Sequence, residues 1–173
     1  MLYNSVIDVQ DNTTGTITEP VTLAECKAYM RLSNTDEDTL ISSLIKAARE
    51  LIEKYTGLSL IRKTQKIIVN NSLGNIAVPY GPYVDADITA TGTDVIVKKR
   101  NKRIVIESPL TDSLELTCIG GYTSATIPEA LKTAIKEQVN YMFMQRDNII
   151  PVKGLGDKAK QCAAPFKDVS WLL

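Results

Sequence analysis

The spacing of apolar residues changes twice along the chain. Between residues 20 and 57 they recur every three to four positions, which is the period of an amphipathic helix. From residue 60 to residue 122 the period falls to two, the pattern of strands with one buried face. The helical period returns between residues 126 and 147. The chain is therefore predicted to hold helices, then strands, then a further helix.

Two helices joined by a short acidic turn are predicted over residues 20–57. Thr22 and Glu25 have the spacing of a capping box, in which each side chain accepts a hydrogen bond from the other residue's amide. They predict a first helix over about residues 23–32. Thr35 and Asp38 repeat the spacing, so they predict the start of a second, longer helix.

The second helix carries a continuous apolar stripe that we expect to face the core. Gly57 follows it and supplies the left-handed residue with which helices commonly end. Oppositely charged residues four positions apart are expected on the other side, which faces solvent or a neighbouring subunit. The stripe comprises Leu40, Ile41, Leu44, Ile45, Ala48, Leu51, Ile52 and Tyr55, and the charged pairs are Lys46 with Glu50, Arg49 with Glu53 and Glu50 with Lys54.

Several short strands are predicted between residues 60 and 122, because Asn, Gly, Pro and Asp residues separate segments of alternating polarity. The expected turns lie at Gly74–Asn75, Tyr80–Pro82, Thr91–Asp94 and Pro109–Asp112. No helical pattern interrupts this region, and parallel strands need long crossover connections. An antiparallel sheet or a small sandwich is therefore expected.

A third helix is predicted to start near Pro128 and to pack on the first two. Proline lacks the amide that a first turn leaves unpaired, and Glu129 adds negative charge at the positive end of the helix. The expected inward face comprises Leu131, Ala134, Ile135, Gln138, Val139, Met142 and Phe143.

The chain as a whole is predicted to be a single domain of the α+β class. A small helical bundle forms its core, an antiparallel β-rich insertion interrupts the bundle, and extended arms lie at both ends. Within residues 1–173 the boundaries are 1–21 for an N-terminal arm or hairpin, 22–57 and 126–147 for the helical core, 60–122 for the insertion and 148–173 for a C-terminal arm without a long regular element.

Composition fits a protein that folds in water in a reducing compartment. The 173 residues suffice for a substantial core, 44% of them are hydrophobic, and 20 basic side chains balance 20 acidic ones. The three cysteines have the spacing of neither a disulfide framework nor a zinc site. The sequence shows neither a signal peptide nor an apolar run of about 18 residues, so we expect no membrane partner.

The sequence offers little for catalysis or metal binding. It has no histidine, which removes the usual general base of hydrolases and the commonest metal ligand. The run GLGDK at residues 154–158 lacks the spacing of a phosphate-binding loop. Asp85, Asp87 and Asp94 are a candidate cation cluster, for which a solvated turn is the favoured interpretation. We expect no catalytic residue, cofactor or metal, although carboxylate pairs that meet only in space stay open.

Five cations are concentrated between two predicted strands, at Lys98, Lys99, Arg100, Lys102 and Arg103. We call residues 98–103 the basic hairpin. A tight hairpin projects these charges at a sheet edge, where they can meet phosphates or an acidic protein surface. The other interpretation, which the lack of interleaved aromatic residues favours, is a soluble hairpin tip that discourages edge-to-edge strand pairing.

Three stretches resemble the head-to-tail connector family of tailed bacteriophages, whose members are also called adaptor or head-completion proteins. They are PVTLAECKAYMRL, TDEDTLISSLIKAARELIEKYTGLSLI and IPEALKTAIKEQVNYMFMQRDN, the last of which follows a β segment ending in GGY. The likeness spans about residues 20–147. It rests on whole helices, including the opening P-V-T-L-x-E-x-K, the acidic D-E-D start and the K-x-x-Y-T-G close.

The resemblance implies a structural virion protein that catalyses no reaction. Such proteins form a ring, usually twelve-fold, under the portal of the capsid, where they extend the DNA channel and offer the tail a docking surface. The implied partners are further copies of the chain, the portal protein, tail or head-completion proteins, and passing genomic DNA without sequence specificity. The implied location is the head-to-tail junction of the virion, after assembly in the host cytoplasm.

The C-terminal arm is the expected partner-binding segment, through Phe166, Trp171, Leu172 and Leu173. We expect it to be disordered or loosely packed in the free subunit and to become ordered when it docks on a neighbour or on the portal. Members of the family often continue beyond a Leu-Leu pair with a Pro-Tyr-Arg-like tail, which does not follow Leu173 here. The alternative function is a nucleic-acid-binding module that uses the basic hairpin.

Overall fold

The computed structural model describes residues 6–11, 17–77, 80–91, 96–100, 103–146 and 154–167. Contacts between residues divide the chain into two compact units. The helical unit comprises Thr18–Leu60 and Thr123–Asp168, and the β unit holds the strands of Ile61–Tyr122 together with the N-terminal strand. The predicted α+β class is confirmed.

The described residues of the helical unit form four helices. They are α1 (Leu23–Met30), α2 (Asp38–Thr56), α3 (Glu129–Met144) and α4 (Asp157–Ala163). α3 packs against both α1 and α2, which confirms the packing partner predicted for the first two helices. None of the helices in the described part of the chain is long and apolar enough to cross a membrane.

α4 was not predicted, and it packs on α3. A 3-10 turn at Ala164–Phe166 continues it, so the described part of the C-terminal segment is helical rather than extended. Its seven residues make about two turns, which is too short for a helical period to appear in the sequence. Its stability therefore comes from packing and from hydrogen bonds made outside the helix.

The helix ends confirm two predicted caps and correct a third. Glu25 Oε2 accepts from the Thr22 amide at 2.7 Å, and Thr22 Oγ1 accepts from the Glu25 amide at 3.2 Å. The Thr22 amide, and to a smaller extent its hydroxyl, donate hydrogen bonds to the Glu25 carboxylate, and these bonds lower the pKa of Glu25. Gly57 ends α2 with a φ of 72° and donates to the Glu53 carbonyl at 2.9 Å.

The predicted Thr35 cap of α2 is wrong. The N-cap is Glu37, and it makes no side-chain capping bond. The Thr35 carbonyl instead accepts from the Asp38 amide at 3.2 Å, so the backbone itself closes this turn. The carboxylate of Asp38 pairs with Lys27 Nζ at 2.6 Å, which joins the start of α2 to the last turn of α1.

The apolar stripe of α2 is narrower than predicted. Ile41, Ile45, Ala48 and Ile52 are buried, whereas 40% of Leu40 is exposed. The buried apolar residues of the helical unit are Val21, Cys26, Ile41, Ile45, Ala48, Ile52, Leu60, Ile127, Leu131, Ala134, Ile135, Val139, Phe143, Ala159 and Ala163. The predicted inward face of α3 is confirmed apart from Met142, which is half-buried.

The β unit is one five-stranded antiparallel sheet. Its strands are β1 (Val6–Asp11), β2 (Lys63–Ala77), β3 (Tyr83–Thr91), β4 (Ile96–Arg100) and β5 (Arg103–Gly120). The order is β1-β2-β5-β3, and β4 pairs with the first part of β5. β1 pairs with β2, so the described N-terminal residues form an edge strand of this sheet instead of an arm or a hairpin of their own.

Two of the predicted turns lie inside strands. Gly74–Asn75 belongs to β2 and Pro109–Asp112 to β5. The register shifts between Ser72 and Gly74, where β5 contributes the extra residue. A bulge accommodates Pro109 within a ladder because proline has no amide to donate. Turn-forming residues therefore mark a bulge between two long strands here.

The core of the β unit is built around Tyr83. Its ring is 1% exposed, and its hydroxyl donates to Gln65 Oε1 at 2.9 Å. Burial raises the pKa of this phenol, which keeps it protonated as the donor. Gly120 lies against the ring, where a side chain would have no room. Ile67, Leu116 and Cys118 are also fully buried.

Gly120→Ala is predicted to destabilise the β unit. A Cβ at residue 120 would lie 2.7 Å from Tyr83 Cε1, and the hydrogen bond to Gln65 holds that ring in place. Overpacking of this kind costs about 1–3 kcal/mol. Thr117→Ala, at an exposed position of the same strand, is the control and is expected to cost less than about 1 kcal/mol. Urea denaturation compares the two, and equal midpoints would contradict this packing.

Candidate interaction surfaces

Arg49 is a buried cation on the side of α2 that was predicted to be exposed. Only 2% of its side chain is accessible to solvent. Its Nε donates to Glu19 Oε2 and its Nη1 to Glu53 Oε2, each at 2.8 Å, and Nη2 lies 3.4 Å from Glu50 Oε1. Three carboxylates therefore surround one guanidinium, and we call these four residues the Arg49 network.

The Arg49 network joins α2 to the residues that precede α1 and to those that follow α2. Glu19 lies before α1, and Glu53 Oε1 accepts from the Leu60 amide at 2.7 Å. Burial by itself lowers the pKa of Arg49, but the hydrogen bond to Glu19 and the charges of Glu53, Glu19 and Glu50 outweigh burial, so that pKa is raised.

A buried glutamine holds α4 against α3. Gln138 is fully buried; its Nε2 donates to the Gly154 carbonyl at 3.2 Å, and its Oε1 accepts from the Gly156 amide at 2.8 Å. These bonds satisfy backbone groups ahead of α4, which has no side-chain cap. Gly156 in turn lies against Tyr141, where an added Cβ would come within 3.0 Å of the ring. The GLGDK run therefore serves packing.

A groove of about 260 Å³ lies between α3 and the start of α4, and we call it the α3/α4 groove. Its apolar side chains include Tyr141, which is 39% exposed, and Met144, which is 68% exposed. The full lining is Glu137, Asn140, Tyr141, Met144, Gly156, Asp157, Lys158 and Ala159. Small-molecule pockets begin at about 300 Å³, so this groove suits the side chains of a protein partner better than a cofactor.

The described part of the predicted C-terminal docking segment ends near the C-terminus of α2. Phe166 is half-buried at the end of the 3-10 turn. The next residue, Lys167, places its ammonium 5.3 Å from the centroid of the Tyr55 ring. The other predicted docking residues, Trp171, Leu172 and Leu173, lie outside the described residues.

The basic hairpin has the predicted strand pairing. β4 and β5 are antiparallel neighbours, with Arg100 opposite Arg103 and Lys99 opposite Ile104. Residues 101 and 102 lie outside the described residues, and Lys102 is one of them. Four of the five predicted cations are therefore placed along the ends of two paired strands.

Two residues of the candidate cation cluster lie in a strand. Asp85 and Asp87 belong to β3, so the turn favoured for them is wrong, and Asp94 lies outside the described residues. Nowhere in the described ranges do three or more His, Cys, Asp or Glu residues gather as a metal site. Burial raises the pKa of Cys26 to about 11 and that of Cys118 to about 12, so both remain thiols at neutral pH.

Chains in solved structures of gene transfer agent particles share this fold over nearly the whole chain. A chain in a virion of a native gene transfer agent (GTA) particle superimposes with a TM-score of 0.73 at 16% identity, covering 93% of this chain and 95% of that chain. A chain in the neck of an empty GTA particle, computed with C6 symmetry, has a TM-score of 0.71 at 16% identity, with coverages of 92% and 96%. A chain in the neck of a native GTA particle, computed with C12 symmetry, has a TM-score of 0.70 at 15% identity, with the same coverages of 92% and 96%.

The sequence itself defines the family. A family model for the phage gp6-like head-tail connector protein matches residues 20–109, which is more than half of the chain, and the chain belongs to this family. The predicted family resemblance is thereby confirmed, and the family is one of structural phage connectors. No curated protein sequence matches the chain.

Arg49→Ala is predicted to destabilise the helical unit by about 3–5 kcal/mol, because removing one partner of a buried ion pair leaves the other charges uncompensated. Glu53, whose side chain is 10% exposed, would then be a buried carboxylate that has lost its guanidinium partner. Lys46→Ala, one turn earlier at an exposed position of α2, is the matched control and is expected to change stability by less than about 0.5 kcal/mol. Urea denaturation followed by circular dichroism measures both. A loss below about 1 kcal/mol for Arg49→Ala would contradict the role of the network.

Proposed function

We propose that the chain forms a ring at the head-to-tail junction of a virion, where it bridges the portal and the tail and surrounds the DNA channel. Membership of the head-tail connector family is the observation that carries this proposal. The fold shared over 93% of the chain with a chain of a GTA virion supports it. The chain then acts as a structural part and catalyses no reaction.

A closed ring needs two unlike faces on every subunit, since contacts related by rotation join one surface to a different one. The helical unit offers exposed apolar side chains on three helices, at Tyr29 in α1, Leu40 in α2 and Met144 in α3. We take the ring to be twelve-fold, and the C12 symmetry of one similar neck structure supports that number.

The proposed partners are further copies of the chain, the portal, tail or head-completion proteins, and genomic DNA that passes without sequence specificity. Assembly takes place in the host cytoplasm, and the finished ring belongs to the virion. The proposed docking set is Phe166, Trp171, Leu172 and Leu173. The half-buried position of Phe166 after α4 supports a segment that starts from a fixed point on the helical unit.

Deleting residues 165–173 is predicted to abolish binding to the portal or assembly into rings while leaving the circular dichroism spectrum intact. The segment starts after α4, so the described helices and strands remain in place apart from the 3-10 turn. Size-exclusion chromatography with the portal measures binding.

The matched control keeps the length of the segment and replaces Phe166, Trp171, Leu172 and Leu173 with serine. It is expected to bind as poorly as the deletion, because apolar anchors carry most of the free energy of such contacts. Unchanged binding by the deletion variant would rule out the docking role of the segment.

Nucleic-acid binding through the basic hairpin is the second candidate function. The strand register favours it. Arg100 of β4 lies opposite Arg103 of β5, and Lys98 and Lys99 precede Arg100 in β4. These cations are therefore concentrated at one end of the two paired strands. Phosphate contacts of this kind release counterions, so the affinity falls steeply as salt rises.

Replacing all five cations of the basic hairpin with serine is predicted to weaken DNA binding and to make it less dependent on salt. Each cation that no longer meets a phosphate reduces the slope of log affinity against log salt by about 1. Replacing the exposed Lys46, Lys54, Lys158 and Lys160 of the helical unit is the control, and it should change the slope little. Titrations of labelled DNA at several salt concentrations measure both slopes; equal slopes for the two variants would exclude the hairpin as the DNA contact.

A further inference from the structure

The α3/α4 groove presents an apolar surface together with an unused polar group. Met144 is 68% exposed, more than any other large hydrophobic side chain in the described part of the chain. Asn140 lines the groove and is half-buried, yet its amide makes no hydrogen bond with any described residue. Protein interfaces commonly combine exposed apolar side chains with polar groups that lack a partner in the free subunit. We therefore expect a partner of this groove to supply both apolar surface and a hydrogen bond to Asn140.

We propose that the α3/α4 groove receives Trp171 from the C-terminal segment of a neighbouring copy of the chain. This inference rests on the proposed ring and names one of its subunit contacts. The contact is heterologous, because the groove of one subunit meets the segment of the next, and it therefore repeats around a closed ring.

Tryptophan suits the groove in size and in chemistry. A buried aromatic side chain covers about 150–250 Å² and dominates the energetics of many interfaces. Its indole N–H needs an acceptor when it is buried, and the side-chain oxygen of Asn140 is such an acceptor. Trp171 is the single tryptophan of the sequence.

The direction of the chain favours a neighbour's tryptophan over the subunit's own. The groove lies at the last turns of α3. Arg146, two residues after Met144, forms an ion pair at 2.7 Å with Glu37 at the start of α2, so this end of α3 lies near the start of α2. Lys167 instead lies over Tyr55, near the other end of α2. The 19 residues of α2 span about 28 Å at 1.5 Å per residue.

The subunit's own Trp171 would have to return along α4 to reach the groove. α4 begins at the groove and runs away from it for about 10 Å before the 3-10 turn adds about 6 Å more. Trp171 follows Lys167 by four residues, which span at most about 14 Å when fully extended. The reach of these four residues is thus shorter than the distance that α4 and the 3-10 turn cover, which favours the Trp171 of a neighbouring copy as the occupant of the groove.

A peptide titration tests the groove without requiring a ring. The receptor is the full chain carrying Trp171→Ser, which has no tryptophan, and the ligand is a peptide of residues 164–173, APFKDVSWLL, whose tryptophan is the only one in the sample. We expect a saturable blue shift of the tryptophan emission. Adding Met144→Glu to the receptor should weaken binding at least about tenfold, because a charge is placed in the apolar contact.

Ile17→Glu in the same receptor is the control, since Ile17 is an exposed apolar residue that does not line the groove. It should change the affinity less than about twofold. The absence of a saturable shift, or equal weakening by the two variants, would overturn the proposal. Circular dichroism of both receptors verifies that they fold.

Dilution of the unmodified chain separates the neighbour's tryptophan from the subunit's own. Docking between copies predicts a blue-shifted emission that disappears on dilution and is absent from the Met144→Glu variant. A shift that Met144→Glu removes but that does not depend on concentration would place Trp171 in its own groove and overturn the contact between copies. If the chain forms no ring with the portal, the proposed function fails, whereas the peptide titration still measures independently whether the groove binds the segment.

Discussion

A guanidinium with 2% of its side chain exposed must be surrounded by anions, and the helical unit is arranged to meet this requirement at Arg49. Glu19 comes from the segment before α1 and Glu53 from the next turn of α2, and Glu53 also holds the amide of Leu60. The segments that precede α1 and follow α2 are therefore fixed to one side of α2, while the apolar stripe fixes its other side to α3. The buried residues of α2 are therefore committed to holding the helical unit together.

Short sequence patterns correctly predicted the parts of the fold that depend on a few neighbouring residues. The box of Thr22 and Glu25 and the glycine at the end of α2 follow from backbone geometry alone, and the structure has both. The features that the sequence did not predict depend on contacts between residues that are distant in the chain. Arg49 and Glu53 have the spacing of a solvent-exposed pair, and only the approach of Glu19 and Leu60 makes them a buried network. Helix α4 is too short to show a period and depends on Gln138.

The candidate site was harder to predict than the fold, because it is a surface made by packing. No motif marks the α3/α4 groove, although Tyr141, Met144 and Gly156 would have been a signal if the docking of α4 had been known. The family resemblance came from the helices, which carry the framework and no chemistry. For a connector this is sufficient, since family membership rests on the framework, and the surfaces that the framework displays decide which partners bind.

We propose that this chain assembles into a ring beneath a portal. Negative-stain or cryo-electron microscopy of the chain mixed with the portal protein of the same particle tests it most directly. Closed twelve-fold rings of the chain, stacked on one face of the portal, are the predicted result. A chain that stays monomeric beside intact portals, or that binds them without forming a ring, would contradict the claim.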